Sequence, residues 1–156
     1  MYRIALIILL SLLSLEIYSQ RGKDGAKVIT GGPEVVNAFT TLTADATAGS
    51  TTLNVVNSAL GTASLANLSQ GDLIMIYQVQ GATIEDSLIL VPLINYPNSS
   101  KFFDTWGSIR SYNNTGNYEF VQVDGVPNNS TINLDCALQN TYNDSGNVLV
   151  IRVPRY

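Results

Sequence analysis

The chain has 156 residues and a formal net charge of −4, and it contains one Cys and no His. The absence of His excludes a Ser-His-Asp triad, a Cys-His pair and every His-based zinc site. Because Lys and Arg are scattered along the chain, we expect no nucleic-acid partner and no binding to anionic lipid, and we expect no cofactor.

The first 19 residues have the pattern of a secretory signal peptide. Arg3 precedes an apolar run from Ile4 to Leu15, and a short polar segment that includes Ser19 follows it. The run has about a dozen residues, which is too short to span a bilayer as a helix. We predict cleavage after Ser19, export to the medium or the cell surface, and no membrane insertion of the remaining chain. A retained membrane anchor is the alternative.

After the signal peptide, the sequence divides into a leader and one domain. Residues 20–40 are rich in Gly and predict a flexible leader, with a short strand at Lys27–Thr30. Residues 41–156 predict a single domain, long enough to bury a core without disulfides. Cys136 lies between apolar neighbours in the segment LDCAL, so we expect it to pack as a small hydrophobe. A free thiol or an intermolecular disulfide is the alternative.

The first half of the domain predicts two strands and a loop. Thr51–Val56 is rich in β-branched residues and forms a strand with Leu53 and Val55 on one face. The leucines that follow predict either a helical turn or a loop tucked under the sheet; they are Leu60, Leu65 and Leu68.

The segment GDLIMIYQVQGATI begins like a buried strand. From Leu73 to Ile76 both faces are apolar, which indicates a central strand covered on both sides. Gln78 and Gln80 then occupy the face that carries Ile74 and Ile76. We therefore expect this face to leave the core at the two glutamines.

The second half of the domain predicts a hairpin and two further turns. The arms of the hairpin are Gly107–Tyr112 and Asn117–Gly125, joined by a turn at residues 113–116, where Asn and Gly tolerate positive φ angles. Turns at residues 127–130 and 143–147 each lead into another strand. Short strands with regularly spaced turns predict an all-β antiparallel barrel or sandwich of about six to seven strands.

Several segments resemble the N-terminal module of large secreted Bacteroidetes proteins, many of which carry a gliding-motility-associated or type IX secretion sorting domain far downstream. The segments are TTLNVV, GDLIMIYQVQGA, YNNTGNYEFVQV and VIRVPRY, and the resemblance covers roughly residues 41–156. It implies an adhesin-like surface module and carries no catalytic residues. The ending RVPRY resembles a junction to a repetitive extracellular region, so we expect either a truncated reading frame or a stand-alone module.

A long aromatic loop is the main candidate for ligand contact. It contains Tyr96, Phe102 and Trp106, and it follows the amides of Gln78 and Gln80 in the chain. Aromatic faces beside amide groups are typical of carbohydrate sites, so the predicted ligand is a glycan. The alternative is a satellite hydrophobic cluster that holds the loop against the barrel.

Carboxylates offer weaker candidates for chemistry. Glu119 lies on the same face of its strand as Val121 and Val123. One interpretation is an acid with a shifted pKa or a ligand of a cation. The other is a carboxylate that accepts hydrogen bonds from the amides of a turn. Glu85, Asp86 and Asp104 flank the long loop, but neighbouring strand residues point to opposite faces and make a poor glycosidase pair. The segment NDSGN at residues 143–147 is either a calcium loop or a polar turn.

One modification site is also a candidate. Asp86-Ser87-Leu88 resembles the acceptor pattern for bacterial O-glycosylation, with Ser87 as the acceptor. Taken together, the sequence favours a non-catalytic structural or interaction module of a secreted or cell-surface protein. The alternative is a carbohydrate-binding or adhesive module that uses the aromatic loop, and the expected partner is a glycan or another cell-surface protein. A carboxylate-based hydrolase is the third hypothesis.

Overall fold

The computed structural model describes residues 22–62, 65–86, 89–92, 100–103 and 107–156, with the backbone alone for residues 89–92 and 100–103. These residues form ten β-strands and one turn of 3-10 helix at Asp144–Gly146. The strands are β1 (Phe39–Thr41), β2 (Thr52–Asn54), β3 (Leu73–Gln78), β4 (Thr83–Ile84), β5 (Ile89–Pro92), β6 (Ser100–Phe103), β7 (Ile109–Ser111), β8 (Tyr118–Asn128), β9 (Thr131–Leu134) and β10 (Val148–Val153).

Six strands form one antiparallel sheet, in the order β1-β10-β3-β8-β9-β2. The sheet curls until its two edge strands meet at an antiparallel bridge between Leu42 and Val55. Beside this bridge, the amide of Thr43 donates to the carbonyl of Asn54 at 3.0 Å. The all-β antiparallel fold predicted from the sequence is confirmed. The bridge brings the two free edges of the curled sheet together, and so removes unpaired strand edges at that end.

The interior of the curled sheet is filled by alternate residues of every strand. In β2, Leu53 and the following Val55 are buried while Asn54 and Val56 face water, as predicted. The three leucines between β2 and β3 are also buried, and the described residues of their segment, 55–62 and 65–72, contain no helix, which fits the loop alternative. The core contains Leu42, Leu53, Val55, Leu60, Leu68, Ile74, Ile76, Val121, Val123, Ile132, Leu134, Leu138, Tyr142, Val148 and Val150.

Strand β3 is central, between β10 and β8, but only one of its faces is in the core. Ile74, Ile76 and Gln78 have no exposed surface and Gln80 is exposed, so this face leaves the core after Gln78; the expectation is wrong for Gln78 and holds for Gln80. On the other face Met75 and Tyr77 are only half-buried. The expectation of a strand covered on both sides is therefore also wrong, because the strands beside β3 continue the sheet and do not lie over that face.

The predicted hairpin has the right turn and the wrong strand partners. Asn113, Asn114 and Gly116 have positive φ angles of 44°, 67° and 89°, as their residue types predict. However, β7 pairs with β4, and β8 pairs with β3 and β9. The turn is held against the end of β3, because Gly116 donates its amide to the Gln78 carbonyl at 2.9 Å and the Gln78 amide donates to Asn117 at 3.0 Å. The β4–β7 ribbon thus extends the β3–β8 pairing beyond the sheet.

Two further expectations change. Residues 27–30 are not a strand, because they pair with no strand edge in the part of the chain that the structure describes. Cys136 is exposed and its thiol is free. Strand β9 ends at Leu134, and Leu138 is the next buried residue in the chain. Cys136 lies between them and does not reach the core.

Candidate functional site

The side-chain amide of Gln78 connects three loops at one end of the sheet. Its Nε2 donates to the carbonyls of Gln80 and Asn113, each at 2.9 Å. Its Oε1 accepts from the amide of Asn143 at 2.9 Å. Every heavy polar atom of this fully buried side chain therefore has a partner, as a buried amide requires. Gln78 has a structural role here and presents nothing to a ligand.

Gly146 packs directly against the side-chain amide of Gln78. A Cβ atom at this position would lie 2.2 Å from Gln78 Nε2 and 2.6 Å from the Gln80 carbonyl oxygen, so no side chain fits without displacing them. The 3-10 turn that holds Gly146 belongs to the NDSGN segment. Within that segment the Asn143 amide is bonded to Gln78 and the Asp144 amide to Asp45. These contacts fit the interpretation of the segment as a polar turn.

Glu119 accepts hydrogen bonds from a turn, which was one of the two roles considered for it. Its carboxylate accepts from the amides of Gln139 and Asn140 at 3.0 and 3.1 Å, and from the hydroxyl of Tyr142 at 3.0 Å. Tyr142 is fully buried. Burial, together with the hydrogen bond and the negative charge of Glu119, raises the pKa of Tyr142 above its ordinary value. With three donors in place, Glu119 stabilises the loop before β10.

The opposite end of the sheet holds an ion cluster that joins the leader to β3 and β10. The guanidinium of Arg152 lies 3.0 Å from Asp24 and 3.1 Å from Asp72, and it also donates to the carbonyl of Ala66. The ammonium of Lys23 lies 2.8 Å from Asp72. Arg152 and Asp72 are almost fully buried. Such a pair is stable only because each charge meets several partners.

The electrostatics of this ion cluster favour the charged form of Asp72. Burial by itself would raise the pKa of the Asp72 carboxyl. The hydrogen bonds from Lys23 and the Ser69 amide, with the positive charges of Arg152 and Lys23, outweigh burial and hold the pKa below its ordinary value of 3.8. Asp24 extends the same ion cluster to the end of the chain, because its carboxylate accepts the Arg155 amide at 2.7 Å and its own amide donates to the Arg155 carbonyl at 2.9 Å.

The predicted ligand-contact residues are not brought together among the described residues. Gln78 is buried, whereas Gln80 is exposed. Tyr96 and Trp106, and the proposed glycosylation site Ser87, lie outside the described residues. The backbone of Phe102 lies in β6, and its side chain also lies outside the description. The predicted signal peptide, residues 1–19, is outside it as well.

The carboxylates that flank the long loop are the candidates for a hydrolase. Glu85 is buried and lies 2.9 Å from the guanidinium of Arg110 on β7. Asp86 is exposed, and Asp104 is outside the described residues. No group of three or more potential metal-binding side chains occurs in the described ranges. The same ranges contain no helix long and apolar enough to cross a membrane.

The largest unexplained feature is an apolar surface on the outside of the sheet, here called the outer face. It is formed by the outward residues of β1, β10, β3 and β8, which the strand register places in three rows. One row across the four strands contains Phe39, Ile151, Met75 and Phe120; the next contains Thr41, Leu149, Tyr77 and Tyr118; a shorter third row contains Val153, Leu73 and Gln122.

Aromatic side chains dominate the exposed part of the outer face. Phe39, Tyr118 and Phe120 are 67%, 61% and 54% exposed. Tyr118 and Phe120 are in edge-to-face contact, with ring centroids 6.3 Å apart and an interplanar angle of 85°. None of the eleven residues in the three rows carries a charge. An uncharged apolar patch of this kind marks an interaction surface more often than it occurs by chance on a monomer.

The sequence contained a signal for the outer face. Leu73, Met75 and Tyr77 alternate with the core residues of β3, and β10 repeats this arrangement. A run that is apolar on both faces predicts burial on both, because a strand sequence gives no information about which element covers its second face. Only the register of four strands joins these residues into one continuous surface.

Comparisons with known proteins add resemblances in fold. No protein-family model matches the chain, and no curated protein is significantly similar to it. Solved structures of phage tailspikes are similar over part of the chain. The tailspike gp61 of Pseudomonas phage phi297 is 17% identical, with a TM-score of 0.42, over 74% of this chain and 14% of its own.

Two further tailspikes give comparable values. Gp54 of Acinetobacter baumannii bacteriophage AP22, solved in complex with A. baumannii capsular saccharide, is 20% identical with a TM-score of 0.42, over 74% of this chain and 15% of its own. The tailspike gp49 of Pseudomonas phage LKA1 is 21% identical with a TM-score of 0.40, over 76% of this chain and 15% of its own. The chain thus spans about one seventh of the length of these tailspikes.

Proposed function

We propose that the chain is a non-catalytic interaction module of an exported or cell-surface protein, and that its outer face contacts an apolar protein surface. The observation that carries the proposal is the continuous uncharged apolar surface of four neighbouring strands. Three aromatic side chains on this surface are more than half exposed.

The buried polar groups described above support a non-catalytic module. A catalytic acid or base needs a polar group that reaches a substrate. The carboxylate of Glu119 and the amide of Gln78 are instead bonded to backbone groups of neighbouring loops. Asp72 and Arg152 are bound to each other at 3.1 Å. These contacts give the four side chains roles in holding the fold together.

A test of the outer face uses a hydrophobic fluorescent dye and two matched variants of the chain beginning at Gln20. In dilute solution we expect the dye to bind the folded chain, and Phe120→Lys to reduce that binding several-fold, because it replaces one of the three exposed aromatic side chains of the outer face by a charge. Ile84→Lys is the control, since Ile84 is 60% exposed on the β4–β7 ribbon, outside the outer face. No dye binding to the dilute folded chain would contradict the proposal.

The second candidate is a glycan-binding module, which exposed aromatic rings favour. Tyr118, Phe120 and Tyr112 are all exposed, and rings of this kind stack on sugars. The outer face offers few polar groups beside its rings, namely Thr41, Gln122 and the tyrosine hydroxyls, which is less than a sugar with many hydroxyls requires. The capsular saccharide bound by Gp54 belongs to that protein, and the likeness in fold does not extend the ligand to this chain.

A glycan array distinguishes the two candidates. We expect the folded chain to give no signal on it. A signal that Tyr118→Ala removes would favour the glycan-binding module over protein contact.

Export is the remaining part of the proposal, and it rests on the sequence of residues 1–19. Expression of the full chain in a bacterial host with secretion machinery should give a product that begins at Gln20. Mass spectrometry of the recovered protein measures this directly. A product that retains residues 1–19 would contradict it.

A further inference from the structure

We propose that the outer face packs against the outer face of a second copy of this chain, so that the protein forms a two-fold dimer. This proposal rests on the proposed function, because it names the protein surface that the outer face contacts.

The area of the outer face is sufficient for a dimer, although not for a permanent one. A Phe or Tyr side chain buries about 150–250 Å² when it is covered completely. From their exposed fractions, the three exposed aromatics together present on the order of 350 Å². The half-buried apolar neighbours bring this to roughly 600 Å² per copy, or about 1,200 Å² for two copies, which is the lower limit for specific interfaces. We therefore expect a reversible dimer.

The shape of the outer face suits a symmetric contact. Four neighbouring strands present their outward residues in rows, and two such sheets pack face to face at about 10 Å. In a two-fold contact the same patch serves both copies, so it must match itself. The outer face meets this condition, because it has no charge to repel its copy and has Met75, an adaptable side chain, near its centre.

The charge distribution disfavours other occupants of the outer face. A nucleic acid or an anionic membrane requires clustered cations, and the three rows contain none. A glycan requires more polar groups than the rows provide. An apolar protein surface remains, and the second copy is the one whose fit follows from the residues themselves.

The test measures molecular mass as a function of concentration for the chain beginning at Gln20, by sedimentation equilibrium from about 1 to 500 µM. We expect a monomer–dimer equilibrium with a dissociation constant in the micromolar range. Phe120→Lys should raise this constant at least ~10-fold, because it replaces an aromatic side chain of the contact by a charge that the dimer would bury. Ile84→Lys should leave it unchanged.

A cross-linking experiment tests the symmetry of the contact. A bis-maleimide of about 10 Å reach should join two copies of Met75→Cys in a Cys136→Ser background, because the two-fold axis brings the two cysteines to about the sheet spacing. Ile84→Cys in the same background should not be joined. A monomer at every concentration, a dimer unaffected by Phe120→Lys, or joining at position 84 alone would overturn the proposal.

The two proposals fail in distinguishable ways. A monomer whose outer face binds the dye would overturn the dimer and leave contact with another apolar protein standing. A monomer that binds no dye would overturn both.

Discussion

At the scale of single residues, Gln78 shows how a polar side chain is placed in an apolar interior. It follows Ile74 and Ile76 on the inward face of β3 and is as completely buried as they are. Its amide is stable there because one acceptor and two donor positions meet backbone groups of three loops. The same side chain therefore ends the core and fixes the loops at that end of the sheet.

Replacing Gln78 by Leu should destabilise the chain by about 3–5 kcal/mol. The substitution keeps a side chain of similar volume but leaves three partly buried backbone groups without this partner, at a cost of about 1–3 kcal/mol each. Urea denaturation of the chain beginning at Gln20 measures the change. Gln80→Leu is the matched control and should change stability by less than about 0.5 kcal/mol, since Gln80 is exposed. Equal effects at both positions would contradict the role assigned to Gln78.

At the scale of elements, the ion cluster joins three segments that lie far apart in the chain. Asp72 precedes β3, Arg152 is in β10, and Asp24 belongs to the leader. The arginine is on the inward face of β10, where an unpaired charge would be very unfavourable. The leader is therefore in contact with the sheet at Lys23 and Asp24.

Through Asp72, the ion cluster makes the stability of the folded chain depend on pH. Its pKa in the folded chain lies below the ordinary value of 3.8, so its contribution is complete above about pH 4 and is lost as the pH falls through the lower folded value. Asp72→Asn should lower the free energy of unfolding at pH 7 by about 3 kcal/mol and should flatten its decline below about pH 4. Asp135→Asn, at an exposed position, should do neither. Urea denaturation across this pH range measures both effects, and an unchanged acid profile for Asp72→Asn would count against the assignment.

At the scale of the whole molecule, the two ends of the described chain meet at the ion cluster. Asp24 exchanges two hydrogen bonds with the backbone of Arg155, and Gly22 is packed so closely that a Cβ atom would overlap the Arg155 carbonyl. The leader thus covers the Arg152 side of the sheet. It is part of the folded unit at these residues, although most of residues 26–38 have no regular structure.

Removing the leader should therefore weaken the fold even though no strand is lost. A chain beginning at Lys27 lacks Lys23 and Asp24, and we expect it to be about 2–4 kcal/mol less stable than a chain beginning at Gln20. Thermal and urea denaturation give the comparison. Should the shorter chain not fold, Asp24→Asn in the longer chain provides the same test with a smaller change. Equal stability of the two chains would show that the contacts of the leader are dispensable.

The sequence by itself determined the local structure of this protein. β-Branched and apolar runs located β2 and β3, and the turns at residues 113–116 and 143–147 located the starts of β8 and β10, because these preferences depend on a few adjacent residues. Composition and the absence of His also excluded whole classes of chemistry before any fold was known.

Only the tertiary structure decided which surfaces are covered and which strands are partners. The turn at residues 113–116 joins strands whose partners are β4 and β3, because its backbone groups are bonded to Gln78 rather than across a hairpin. Gln78 is buried because three distant loops supply its partners, and Tyr77 is half-exposed because it lies on the face of β3 opposite the core. Such contacts join residues far apart in the chain. The sequence around any one of these residues is compatible with a buried or an exposed side chain, and with more than one strand partner.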